Sequence, residues 1–210
     1  MKRYTLNTYV KKTIVVLFIV QMFTISIQNK LSLPTEDNNA NVDIPVGNET
    51  QKKDEFEIYL DTAIWIMQNE MRNSANVPKY LNVFGTKNMA WCTEFVVWSL
   101  LEADKQLNTN YVTTLYPLLD TGNKASKWFS KNNRLHKEKD YIPKRGDFMF
   151  FKYYDSIVDH TAFVVGIKQI DGITYVHTIE GNIPSLKDKS IQERILPLND
   201  KAIYGYGSYE

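Results

Sequence analysis

The last third of the chain is a succession of short, turn-bounded runs rich in β-branched and aromatic residues, and this limits the fold more than any other feature. The runs are Phe148–Tyr153, His160–Ile167, Ile173–Ile179, Ser190–Leu196 and Ala202–Tyr206. Such residues fit a pleated, half-buried surface. The preceding part reads as helix: Phe56, Leu60, Ala63, Ile64, Met67 and Met71 recur at helical spacing from Asp54 onward, as one buried face of an amphipathic helix requires. A second helix is expected from Trp91 or Cys92 to about Asp104 and a third within Gly122–Asn132, with Tyr116–Pro117 marking a turn between them. Helices first and a strand meander after define an α+β fold, N-terminal helices packed on an antiparallel sheet of five or six strands.

Ahead of this domain lie two segments of different character. Lys2, Arg3, Lys11 and Lys12 precede the apolar run Thr13–Ile27, the order of an export signal, so residues 1–28 are expected to be a signal peptide or a membrane anchor. No small-x-small cleavage site follows Ile27, and the run is short against the ~20 apolar residues of a comfortable span, so both readings stay open. Residues 29–53 are rich in Asn, Glu, Asp and Lys, with few aromatic residues, and read as a flexible linker whose composition cannot offset its ordering entropy. The remaining 54–210 form one domain, large enough to bury a core without metal or disulfide staples. The expected location is outside the membrane, extracellular or at the cell wall, with 13–27 as a conditional anchor.

Charge excludes one class of partner. The 25 Lys and Arg are balanced by 24 Asp and Glu, a net charge of +1, so no basic field marks a nucleic-acid binder. The chain holds a single cysteine, and an exported chain with one thiol cannot form an internal disulfide. Cys92 is then either a buried structural residue or a used one.

A thiol is a good nucleophile at neutral pH only where its thiolate is stabilised, and the first turn of a helix does this through free N–H groups and the positive end of its dipole. Cys92 sits where that turn is expected, with Trp91, Phe95 and Val96 to anchor the helix in the core. Three histidines could serve as its base. His160 opens an apolar strand after a loop, where an imidazole can take the thiol proton and return it to a leaving amine. His136 lies in the charged stretch Leu135–Asp140 and reads as a surface residue. His177 lies inside a strand whose alternation puts Tyr175, His177 and Ile179 on one face and Val176, Thr178 and Glu180 on the other. Glu180 ends that strand, where a carboxylate could orient an imidazole and stabilise its charged form. Asn182 shares its parity and competes for the role.

Four fragments resemble, in order and spacing, the CHAP domain, the cysteine- and histidine-dependent amidohydrolase or peptidase module of cell-wall enzymes. They are Trp91-Cys-Thr-Glu-Phe-Val-Val-Trp98, Pro143-Lys-Arg-Gly-Asp-Phe-Met-Phe-Phe151, His160-Thr-Ala-Phe-Val-Val165 and Thr178-Ile-Glu-Gly-Asn182. The resemblance implies a papain-like core, Cys92 as nucleophile, His160 as base, Glu180 as orienting residue and Asn182 as a further site position. It also implies a peptidoglycan substrate, cut at an amide bond through a thioester, with no cofactor and a monomeric enzyme. Val83–Ala90 offers no acid for the calcium loop that some members carry before the Cys helix, so no structural calcium is expected.

Rival readings keep part of this picture. The same fold could act on an amide outside the wall, or the chain could be a non-catalytic exported binding module. A metal site of Cys92, His160 and His177 lacks a close-spaced ligand pair. Arg145-Gly-Asp147 is an integrin-type tripeptide, but it stands at the mouth of an expected strand and reads as a structural turn.

Overall fold

The chain divides into two units, Met1–Val46 and Gly47–Glu210. The computed structural model describes residues 48–73, 77–87, 90–154, 157–183 and 190–210, all in the second unit, with side chains from Glu55 onward. The expected signal or anchor segment, 1–28, and most of the expected linker, 29–53, therefore lie outside the described residues. Among the described residues no helix is long and apolar enough to cross a membrane. This corrects the expectation of membrane anchoring through residues 13–27: no described element supplies a span, and that run itself lies outside the described residues.

Helix α1 (Asn48–Arg72) opens the domain. It starts six residues before the expected Asp54, because Glu49, Gln51, Lys52 and Lys53 are adequate helix formers with no apolar periodicity to announce them. Its stripe is the expected one: Tyr59, Leu60, Ala63, Ile64 and Met67 are buried, while Phe56 and Met71 pack at the core's margin. A short helix α2 (Val77–Asn82) follows, and then α3 (Cys92–Leu107), which buries Phe95, Val96, Leu100 and Ala103 at helical spacing. Asn108, in the left-handed conformation, ends α3 by donating its backbone N–H to the Asp104 carbonyl, a common way of satisfying a last-turn acceptor. The Asp104 carboxylate then accepts from the N–H groups of Tyr111 (2.9 Å) and Val112 (2.9 Å), which holds the short α4 (Tyr111–Thr114). Helix α5 (Gly122–Lys131) is capped by the Thr121 hydroxyl and buries Ala125 and Phe129.

Six antiparallel strands complete the domain: β1 (Leu135–His136), β2 (Phe148–Phe151), β3 (His160–Ile170), β4 (Ile173–Glu180), β5 (Gln192–Pro197) and β6 (Ile203–Gly207), in the spatial order β1-β6-β2-β3-β4-β5. This is the α+β, papain-like architecture. Alternation divides the sheet's side chains between two cores. Phe148, Phe150, Phe163 and Ile179 join the helices. Met149, Phe151, Ala162, Val164, Val176 and Tyr206 form a second cluster on the opposite face.

At the strand level one expectation changes and one holds. His136, expected as a surface residue of a charged stretch, is half-buried: it belongs to β1 and stacks on Tyr141, ring centroids 4.0 Å apart. A two-residue strand carries no periodicity to read. The tripeptide Arg145-Gly-Asp147 is a structural turn. Gly146 takes φ +99°, Asp147 is buried with its carboxylate bonded by Lys144 N–H and Tyr141 OH, and Arg145 pairs with Glu57 and Asp61 on α1.

Candidate active site

Cys92 is the first residue of α3, ahead of any intrahelical acceptor for its N–H. The preceding Trp91 is buried against Tyr80 (5.5 Å between centroids) and Phe95 (6.3 Å), so an aromatic wedge fixes the helix start. Gly181 lets that wedge approach: a Cβ there would fall 2.4 Å from Trp91 Cζ3. The end of β4 and the start of α3 are thereby pressed together.

His160 begins β3, paired with Phe151 of β2. Its ring lies among Phe151 (5.4 Å) and Tyr153 (6.0 Å), wholly buried. Nε2 meets Glu180 Oε2 at 2.6 Å. Nδ1 is buried with no hydrogen-bond partner among the described protein atoms and is the nitrogen left to the Cys92 thiol. Parity explains the meeting: His160 shares its face with Ala162 and Val164, and Glu180 shares the opposed face position with Val176 and Thr178, so both side chains emerge on one side of the sheet.

Glu180 is held by more than the histidine. Thr178 Oγ1 donates to Oε1 (2.9 Å), and Arg194 Nη1 approaches Oε2 (3.2 Å) while also donating to Tyr153 OH (3.1 Å). A carboxylate with no exposed surface would be costly unpaired. Here each oxygen has a donor. Beneath the nucleophile, Thr93 and Thr161 join α3 to β3 through their hydroxyls at 2.9 Å.

The electrostatics favour an ion pair. Burial pushes the Cys92 thiol up, but the His160 imidazole, the Thr161 backbone N–H and the Thr93 hydroxyl outweigh it and hold the thiol below its ordinary range. Burial would push His160 down, but Cys92 and Glu180 outweigh it and raise the imidazole to about 9. Thiolate and imidazolium each stabilise the other.

Of the sequence-derived candidates, the structure brings Cys92, His160 and Glu180 together. Asn182 is also buried, in the left-handed conformation (φ 55°), but its Oδ1 has no hydrogen-bond partner among the described protein atoms and Glu180 occupies the His160 Nε2 position. His177 is engaged elsewhere, with Glu193 at 3.0 Å, and Glu193 also accepts from Gln68 of α1 at 2.8 Å. Among the described residues no cluster of three or more His, Cys, Asp or Glu could hold a metal. Sequence reasoning missed Arg194, Tyr153, Thr93 and Thr161. Arg194 reaches Glu180 because the β4–β5 register places it opposite Thr178, and pairing register between distant runs is not encoded in either run alone.

A thiol at a helix start, raised against an imidazole that a carboxylate orients from an antiparallel sheet, is the arrangement of a cysteine-dependent hydrolase. Comparison with known families identifies residues 84–182 as a CHAP domain. No curated protein matches the chain. One solved structure, "The crystal structure of Ly7917", is similar over 64% of this chain and 62% of its own length, less than two thirds, at 10% identity and a TM-score of 0.37.

Proposed function

We propose that this protein cleaves an amide bond in peptidoglycan by acyl transfer through Cys92. The observation that carries the reading is the 2.6 Å contact between His160 Nε2 and Glu180 Oε2, which leaves Nδ1 for the thiol. The Cys92 thiolate attacks the amide carbonyl, and N–H groups of the first turn of α3 receive the developing oxyanion. His160 Nδ1–H protonates the leaving amine, giving a thioester and a neutral imidazole. The imidazole then takes a proton from water as that water attacks the thioester, and the thiolate leaves with the carboxylic acid product. Glu180 holds the ring and stabilises its charged form. Asn182, two residues on, is assigned to a further site position beside the cleft. An exported location agrees with the substrate, since that polymer lies outside the cell membrane.

The test is release of soluble fragments from purified sacculi. The intact protein should release them; His160→Ala should lower the rate by at least about 10²–10⁴-fold, the usual span for an acid–base group, and Cys92→Ala by about 10⁶-fold, as removal of an acyl-transfer nucleophile does. Undiminished release by either variant would remove the assignment. Cleavage of small amides without release of wall fragments would place the substrate elsewhere.

A further inference from the structure

On the other side of the loop that delivers His160, a cavity of about 260 Å³ opens between α5 and the sheet. Asn123, Ser126, Lys127 and Ser130 line it from α5, at the spacing that makes one face of a helix, and Lys152 and Tyr204 line it from the sheet. Among the described residues no carboxylate lines this cavity.

Lys152 Nζ and Lys137 Nζ lie 4.4 and 4.3 Å from the centroid of the same Tyr204 ring. Among the described residues neither of them, nor Lys127, has a carboxylate within ion-pair distance, in contrast to Lys79, Lys105, Lys124 and Lys144, which are all paired. Of the nearby carboxylates that are described, Asp159 accepts from the N–H groups of Tyr153 and Tyr154, and Asp200 from that of Ala202; Asp155 lies outside the described residues. In a chain of net charge +1, three ammonium groups around one tyrosine and one cavity, with no ion-pair partner among the described residues, are a local excess of positive charge.

We propose that this cavity binds a phosphate group carried on a hydroxyl-rich chain. Lysine is a point charge with rotatable donors, suited to a tetrahedral anion, whereas planar carboxylates are matched best by the arginine fork, which is absent from this lining. The Asn123 amide and Ser130 hydroxyl add neutral polar groups for the chain's own hydroxyls. The volume suits one polyol or sugar phosphate unit and lies below the usual range of about 300–1,000 Å³ for drug-sized ligands. Ile157 and Val158 form part of the wall, and His160 follows two residues after Val158. The anion site stands without the peptidoglycan reading, and only its role in holding a wall polymer beside the cleft rests on that reading.

The test is titration of the full ¹⁵N-labelled chain with glycerol 3-phosphate, followed by amide chemical shifts. Saturable shifts are expected at Lys152, Tyr204 and the α5 face. The Lys127→Gln/Lys152→Gln double variant, verified as folded by an unchanged melting temperature, should weaken the apparent Kd at least tenfold. Sodium acetate at matched ionic strength should leave these shifts unsaturated, and inorganic phosphate should bind more weakly than glycerol 3-phosphate. Absence of saturation, equal shifts with acetate, or an unchanged Kd in the double variant would overturn the site. Inorganic phosphate binding as tightly as glycerol 3-phosphate would overturn the hydroxyl-rich chain. The readout needs no bond cleavage, so a protein that binds the probe but releases nothing from sacculi would count against the catalytic reading alone.

Discussion

At the scale of single residues, the proposed chemistry rests on how three buried ionisable groups share two protons. Because Cys92 is held below and His160 above its ordinary range, the reactive thiolate–imidazolium form occupies the interval between them. Activity should rise with pH as the thiol ionises and fall as the imidazolium loses its proton near pH 9. Iodoacetamide should alkylate Cys92 faster than free cysteine at neutral pH and below, since an unperturbed thiol with a pKa of about 8.5 is mostly protonated there. An alkylation profile that tracks free cysteine would remove the ion pair. Arg194 adds a second prediction. Its guanidinium contacts the same Glu180 oxygen that meets His160, so it fixes the carboxylate while its positive charge opposes the imidazolium. Arg194→Met should lower kcat by about tenfold through lost positioning, the effect of roughly 1.4 kcal/mol, with KM little changed. It should also move the alkaline limb of the pH profile upward, because a cation near the imidazolium is gone. A merely structural role would lower activity and leave that limb in place.

At the scale of elements, the site depends on α3 being driven against the end of β4. Gly181→Ala would put a Cβ on the Trp91 ring, and with Trp91 wedged between Tyr80 and Phe95 the ring has little room to yield. Overpacking of this kind costs about 1–3 kcal/mol, which chemical denaturation would read as a lower midpoint at constant m-value. The alkylation rate of Cys92 should fall with it, since Trp91 adjoins the thiol. This level also shows what was legible in the sequence. The stripe of α1, the start of α3 at Cys92 and the strands carrying His160 and Glu180 were readable because each has its own periodicity or boundary residues. The opposition of His177 and Glu180 followed from alternation within one strand, and the His177–Glu193 pair on the other side of β4 accords with it. The Arg194–Glu180 contact and the Thr93–Thr161 bridge were not readable, since each joins segments far apart whose register is set by tertiary packing. The first turns of α1 escaped for the opposite reason: residues 48–53 have helix propensity but no apolar face to mark it.

At the scale of the whole molecule, the segment matched to the CHAP family and the unit that folds are different things. Residues 84–182 contain Cys92, His160, Glu180 and Asn182, yet they omit α1, β5 and β6. Strand β6 is not an edge strand. It lies between β1 and β2, so its loss would leave β1 without a neighbour and strip β2 of half its backbone partners. Gly207 shows how closely the strand is built in: a Cβ there would lie 2.4 Å from the ring of Phe129 on α5. The loss of β5 would remove Arg194 from Glu180. The loss of α1 would uncover the core side of α3, where Tyr59, Leu60 and Met67 are wholly buried. Burial of side chains of this size contributes on the order of 2 kcal/mol each, so α1 alone supplies an amount comparable with the net stability of about 5–15 kcal/mol of an ordinary domain. A fragment of residues 84–182 should therefore give a disordered amide spectrum and no cooperative thermal transition. A fragment of residues 47–210 should melt cooperatively and retain rapid alkylation of Cys92. If the shorter fragment folded and kept that reactivity, α1 and β6 would be decoration on an independent core, and the ion pair of thiol and imidazole would owe nothing to the elements that enclose it.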